Sequence, residues 1–87
     1  MSFVPAFAPD AQSQWRELDI QLQELVLDEM ERLASNPPQP PTSIAYGDVF
    51  HETQHARHYV FLRAIVDRPR REITVVGIVH LQKPTGV

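Results

Sequence analysis

The chain has 87 residues, 43% of them hydrophobic and 22% charged, with a formal net charge of −3 and no cysteine. That length makes one domain, residues 1–87, which buries a little over roughly 60% of its unfolded surface. The composition excludes a disulfide framework, a thiolate nucleophile and cysteine-ligated zinc, which fits a reducing cytoplasm, and the acidic balance by itself argues against nucleic acid.

The opening MSFVPAFAPDAQ is apolar but short, lacks a basic leader and holds two prolines, so it makes a poor signal peptide. Within it SFVPAF alternates weakly and predicts a short strand. Pro5 has no N–H to give a ladder, so that strand belongs at a sheet edge or carries a bulge. Asp10 is the expected N-cap of a helical segment. From Ala11 to Ala34 apolar residues recur at helical spacing, through Trp15, Leu18, Leu22, Val26, Met30 and Leu33. One unbroken helix would span roughly 36 Å, long for this domain. A break near Asp19–Gln21, giving a helical hairpin, is the more compact expectation.

SNPPQPPT, residues 35–42, stops the helix, with Asn36 as its cap. Four prolines in five positions forbid helix and ladder pairing. Such a stretch serves either as a stiff connector or as a motif for an SH3-like partner, and the connector is the commoner use. The remainder reads as three strands: SIAYGDVFHE, HYVFLRAIVD and EITVVGIVHL, the last two joined by the turn DRPRRE. Apolar residues fall on both parities of ITVVGIVHL, which predicts a central strand covered on both faces for most of its length. The order predicts an α+β domain: an N-terminal edge strand, a helical hairpin, then a three-stranded antiparallel meander, with the helices packed on one face of the sheet. No apolar run approaches the ~20 residues of a membrane helix.

Charge is divided along the chain. Residues 1–50 carry two arginines against eight acids, and residues 51–87 carry six arginines and lysines against three acids, together with all four histidines. One part of the surface can therefore meet an anion while the other stays solvated; an acidic helical surface beside a basic hairpin turn is the plainer account.

Three of the histidines lie in HETQHARH, residues 51–58. His51 and His55 share a face of any strand. Without a third ligand of known position they are a weak metal signal, and no metal or other cofactor is expected. Phosphodiester cleavage by a 2′-OH needs a base, an acid and a cation for the phosphorane. Histidine suits the proton steps because its ordinary pKa lies near neutrality, and the guanidinium fork suits phosphate oxygens. His51, His55, His58, His80, Arg57, Arg63 and Lys83 are the candidates. Pairing of the last two strands through DRPRRE brings His80 near Arg57 and His58. Against this, a lone strand-end histidine is usually bonded to a backbone group. Pure binding is a further reading, through the acidic amphipathic helical surface.

The chain as a whole resembles the RelE/ParE family of bacterial toxins. SFVPAFAPDAQSQWRELD is similar to the family's F-x-x-x-F strand and W-x-x-L helix. ERLASNPP resembles its L-x-x-x-P helix end, and HYVFLRAIVD with ITVVGIVHL its last two strands. The resemblance covers nearly all of residues 2–83. It implies a toxin of a toxin–antitoxin module, acting in the cytoplasm without a membrane, and held by a cognate antitoxin whose extended segment wraps it. RelE-like members cut mRNA on the ribosome, whereas ParE-like members inhibit DNA gyrase and need no nuclease residues. Carried onto this sequence, the nuclease implies His80 and His51 as the acid/base pair. Arg57 or Arg63 would stabilise the phosphorane, with Lys83, His55 and His58 as RNA or phosphate contacts. The chain departs from the pattern where Val60, not arginine, follows Tyr59, and where no aromatic residue follows Phe61. These departures keep gyrase inhibition, or antitoxin binding alone, open beside mRNA cleavage.

Overall fold

The computed structural model describes residues 3–37 and 46–83. The elements are β1 (Val4–Phe7), α1 (Pro9–Arg16), α2 (Ile20–Ser35), β2 (Tyr46–His55), β3 (His58–Asp67) and β4 (Glu72–Gln82). They form one four-stranded sheet in the order β1-β4-β3-β2. The meander β2–β3–β4 is antiparallel, and β1 lies parallel to β4 at the edge. Pro5 is tolerated there because β1 is paired along one side only. Residues 38–42 of the proline connector lie outside the described residues, as do residues 43–45.

Local chemistry sets the helix limits. α1 starts two residues earlier than expected: Ala8 is extended at the N-cap and Pro9 takes the first helical turn. Proline is at home there, since its missing N–H would have no partner anyway. Asp10 therefore lies inside the first turn, where its charge favours the positive end of the helix dipole, and does not cap. The break falls at residues 17–19, just before the stretch the spacing pointed to. Two reciprocal bonds fix the corner: the Trp15 indole donates to the Gln23 carbonyl at 3.0 Å, and the Gln23 amide donates to the Trp15 carbonyl at 3.1 Å. Asn36 closes α2, its N–H reaching the Arg32 carbonyl.

The core lies between the helices and one sheet face. α2 contributes Leu22, Val26, Met30 and Leu33, and β3 contributes Val60, Leu62, Ala64 and Val66 in strict alternation. Every second residue of β3 thus faces the helices, as the period of a strand requires.

β4 departs from the expectation. It is interior to the sheet but covered on one face only, since Val79 and Leu81 are each 55% exposed. The two apolar parities have another cause. The register with β3 slips between Arg63 and Ala64, which pair with Gly77 and Val75, leaving Val76 as an extra residue. A bulge of this kind reverses which parity faces in. Ile73 and Val75 are buried before it and Ile78 after it. The bulge is held from α1, where the Gln14 side-chain oxygen accepts the Ile78 N–H at 2.8 Å.

Candidate functional site

The register determines which of the candidate residues meet. His80 lies opposite Val60 and His58 opposite Gln82, so both histidines fall on the helix-side parity as diagonal neighbours. Their rings touch: His58 Nδ1 and His80 Nε2 stand 2.8 Å apart, with centroids 5.0 Å apart and planes 29° apart. The centroid separation is close to the nitrogen contact plus two ring radii. The nitrogens therefore face each other nearly in line, one donating and one accepting. The contact is exposed.

Two cationic residues neighbour the pair along the chain, Arg57 next to His58 and Lys83 next to its strand partner Gln82. Residues 56 and 57 make the tight turn between β2 and β3, with His55 paired to His58. The Lys83 backbone N–H bonds the Arg57 carbonyl at 2.7 Å, fastening the end of β4 to this turn. The β2–β3 end of the sheet therefore gathers His55, Arg57, His58, His80 and Lys83. We call it the tip. His55 differs from the others in also lining a hollow with Gln21, Glu24 and Asp28 of α2.

His51 and Arg63 are not part of the tip. His51 sits on β2 opposite Leu62, with all of β3 between it and β4. Its Nε2 bonds the Glu29 carboxylate at 2.7 Å, and the same carboxylate meets Arg32 at 3.1 Å. His80 takes His58 as its partner, so the expected pairing of His51 with His80 is not formed. The reason is the sheet order, which puts β3 between them; His51 instead meets a carboxylate that α2 supplies above β2. Arg63 points away from the helices, since its neighbours Leu62 and Ala64 point in. It meets Asp48 at 3.5 Å and lies 5.7 Å from the centre of the Phe50 ring. Around it runs a shallow hollow of about 390 Å³, lined by Phe50, Phe61, Arg63, Gly77 and Val79 among others.

Glu29 is the residue sequence reasoning missed. It is 6% exposed, yet bonded on both carboxylate oxygens. Its spacing held the clue: it follows Val26 by three positions and precedes Leu33 by four, on the stripe of α2 that faces the sheet. Among the described residues, no group of three or more histidines and carboxylates converges as a metal site, and no helix is long and apolar enough to cross a membrane.

No family model matches the chain, and no curated protein matches it significantly. Solved structures do. The isolated E. coli RelE toxin superposes with a TM-score of 0.69 at 11% identity, over 97% of this chain and 89% of that one. A RelBE toxin–antitoxin complex from Mycobacterium tuberculosis matches with 0.62 at 11% identity, over 93% of each chain. The archaeal RelE–RelB complex from Pyrococcus horikoshii matches with 0.56 at 13% identity, over 99% and 98%. The chain therefore has the RelE-like fold: edge strand, helical hairpin and antiparallel meander.

Proposed function

We propose that this protein is the toxin of a RelE-type toxin–antitoxin module, that a cognate antitoxin holds it inactive, and that it cleaves ribosome-bound mRNA. The fold supports the first part, since the matching solved structures include RelBE toxin–antitoxin complexes from E. coli and Mycobacterium tuberculosis. The single observation that carries the chemistry is the His58–His80 contact at 2.8 Å, at the end of the sheet whose backbone also carries Arg57 and Lys83. Two hydrogen-bonded imidazoles can take a proton from a 2′-OH and return one to the leaving 5′ oxygen. Arg57 and Lys83 supply positive charge for the phosphorane that forms between those steps. In this reading His80 and His58 carry the proton transfers. Arg57 is the stabiliser and Lys83 a phosphate contact. His55 is left as a neighbour of the pair, and His51 is a structural partner of Glu29. Arg63 is set apart by its salt bridge with Asp48, well along β3 from the tip.

A second reading has its own support. The face of the sheet away from the helices exposes Phe50, Val79 and Leu81 around a hollow in which Arg63 is already paired with Asp48. An apolar, nearly neutral face suits binding without chemistry, of an antitoxin alone or of DNA gyrase. Induction of the protein without antitoxin, with growth followed and new mRNA 5′ ends mapped, separates the readings. Codon-phased cuts within translated regions, lost in His80→Ala and His58→Ala, are the expected result. Growth arrest without cuts, or cuts that survive both substitutions, would sink the nuclease.

A further inference from the structure

We propose that His58 and His80 form a binding site for a divalent transition-metal ion, with Cu²⁺ as its preferred occupant. Two features of the pair lead there. Both rings stand on neighbouring strands whose register is fixed by backbone pairing, so two imidazole nitrogens are held together with no loop to order. The pair is also open to solvent, which lets a hydrated ion enter and keep water on its remaining positions. The nitrogens are 2.8 Å apart. With a metal–imidazole bond of about 2.0 Å, cis ligands of a tetragonal ion stand roughly 2.8 Å apart, so neither nitrogen need move far. The rings need only turn until both lone pairs converge on the ion. In two neutral rings, the one that had donated carries its proton on its other nitrogen instead, and the binding step releases no proton.

The surroundings select the metal. Imidazole nitrogen is the donor, so hard ions such as Mg²⁺ and Ca²⁺, which require oxygen ligands, are excluded. No third histidine or carboxylate converges on the pair among the described residues, so the site is a two-nitrogen one completed by water. Two nitrogen donors alone hold an ion less firmly than three or four, which favours ions with the strongest bond to nitrogen. By the usual order of affinities that is Cu²⁺ ahead of Ni²⁺ and Zn²⁺. The site does not depend on toxin activity. Where it does rest on the nuclease reading, occupancy takes the lone pair that proton transfer needs, and Cu²⁺ becomes an inhibitor.

The test is titration of the purified, chelator-stripped full chain with Cu²⁺, followed by visible absorbance and electron paramagnetic resonance, with Zn²⁺ as competitor. One Cu²⁺ per chain with hyperfine structure from two nitrogens is expected, displaced only by excess Zn²⁺. His58→Ala and His80→Ala should each weaken binding roughly 10-fold or more. His55→Ala should leave it unchanged, and circular dichroism should be that of the parent in all three. The proposal is overturned by a spectrum without imidazole nitrogen, by binding that survives both substitutions, or by equal loss in His55→Ala. A chain that takes Cu²⁺ through the pair yet cuts no mRNA supports the site and removes only the nuclease.

Discussion

Ala56 and Arg71 hold positive φ, 53° and 54°, in the turns that begin β3 and β4. A Cβ in the left-handed region costs about 1–2 kcal/mol, and glycine removes that cost while adding some chain entropy to the unfolded state. Ala56→Gly and Arg71→Gly should therefore stabilise the fold by up to about 1 kcal/mol each, read as a higher urea midpoint. His51 is a different case. Removing it leaves the buried Glu29 carboxylate with Arg32 alone, and that arginine is largely exposed. His51→Ala should destabilise by about 1–3 kcal/mol, while His55→Ala should stay within about 0.5 kcal/mol. Equal unfolding midpoints for these two variants would remove the structural role assigned to His51.

Among the elements, β4 shows best what a sequence can and cannot tell. Its apolar residues were legible, as were its place inside the sheet and the pairing that brings His80 to His58. The bulge was not, because ITVVGIVHL with both parities apolar is what a strand buried on two faces also looks like. Gly77 beside the slip was the available hint. The helices were legible from spacing and the hairpin from compactness, with its break expected within two residues of where it falls; what holds the corner was not, since no glycine or proline marks it. The corner depends on Trp15 and Gln23 reaching each other across eight positions, which periodicity does not reveal. The tip was half legible: the histidines and cations were all visible in the sequence. That His51 stays apart from them follows from the sheet order, and its bond to a buried carboxylate depends on Glu29 in a helix otherwise edged with acids. The bulge also makes a prediction for its element. Gln14→Ala leaves the Ile78 N–H without its acceptor, which should cost about 1–3 kcal/mol. Amide exchange should then quicken at Ile78 and its neighbours more than in β3. Uniform exchange along both strands would mean that Gln14 does not hold the bulge.

Taken whole, the molecule is acidic, yet its cationic groups at the tip lie together. A binder that meets phosphates through Arg57 and Lys83 gives up affinity as salt rises, because each contact releases a counterion. Replacing either residue by alanine should lower the slope of log affinity against log salt by about 1, uniformly across RNA sequences. Removing Arg63, paired with Asp48 on the other face, should leave that slope alone. Filter binding to ribosomes carrying mRNA over a range of potassium chloride concentrations measures both. A slope that answers to Arg63 and ignores Arg57 and Lys83 would move the phosphate-binding surface to the opposite side of the sheet.

The parallel pairing of β1 with β4 also has a consequence for how this protein is born. Val4 meets Glu72, and Phe7 meets Val75. The first strand to leave the ribosome thus has no neighbour until the last one emerges. Until then the helical hairpin has only part of the surface against which it packs, and closing so long a loop is slow compared with local helix formation. A chain built this way stays unfinished while its messenger is being read, and under the proposed function a waiting antitoxin has that interval in which to meet it.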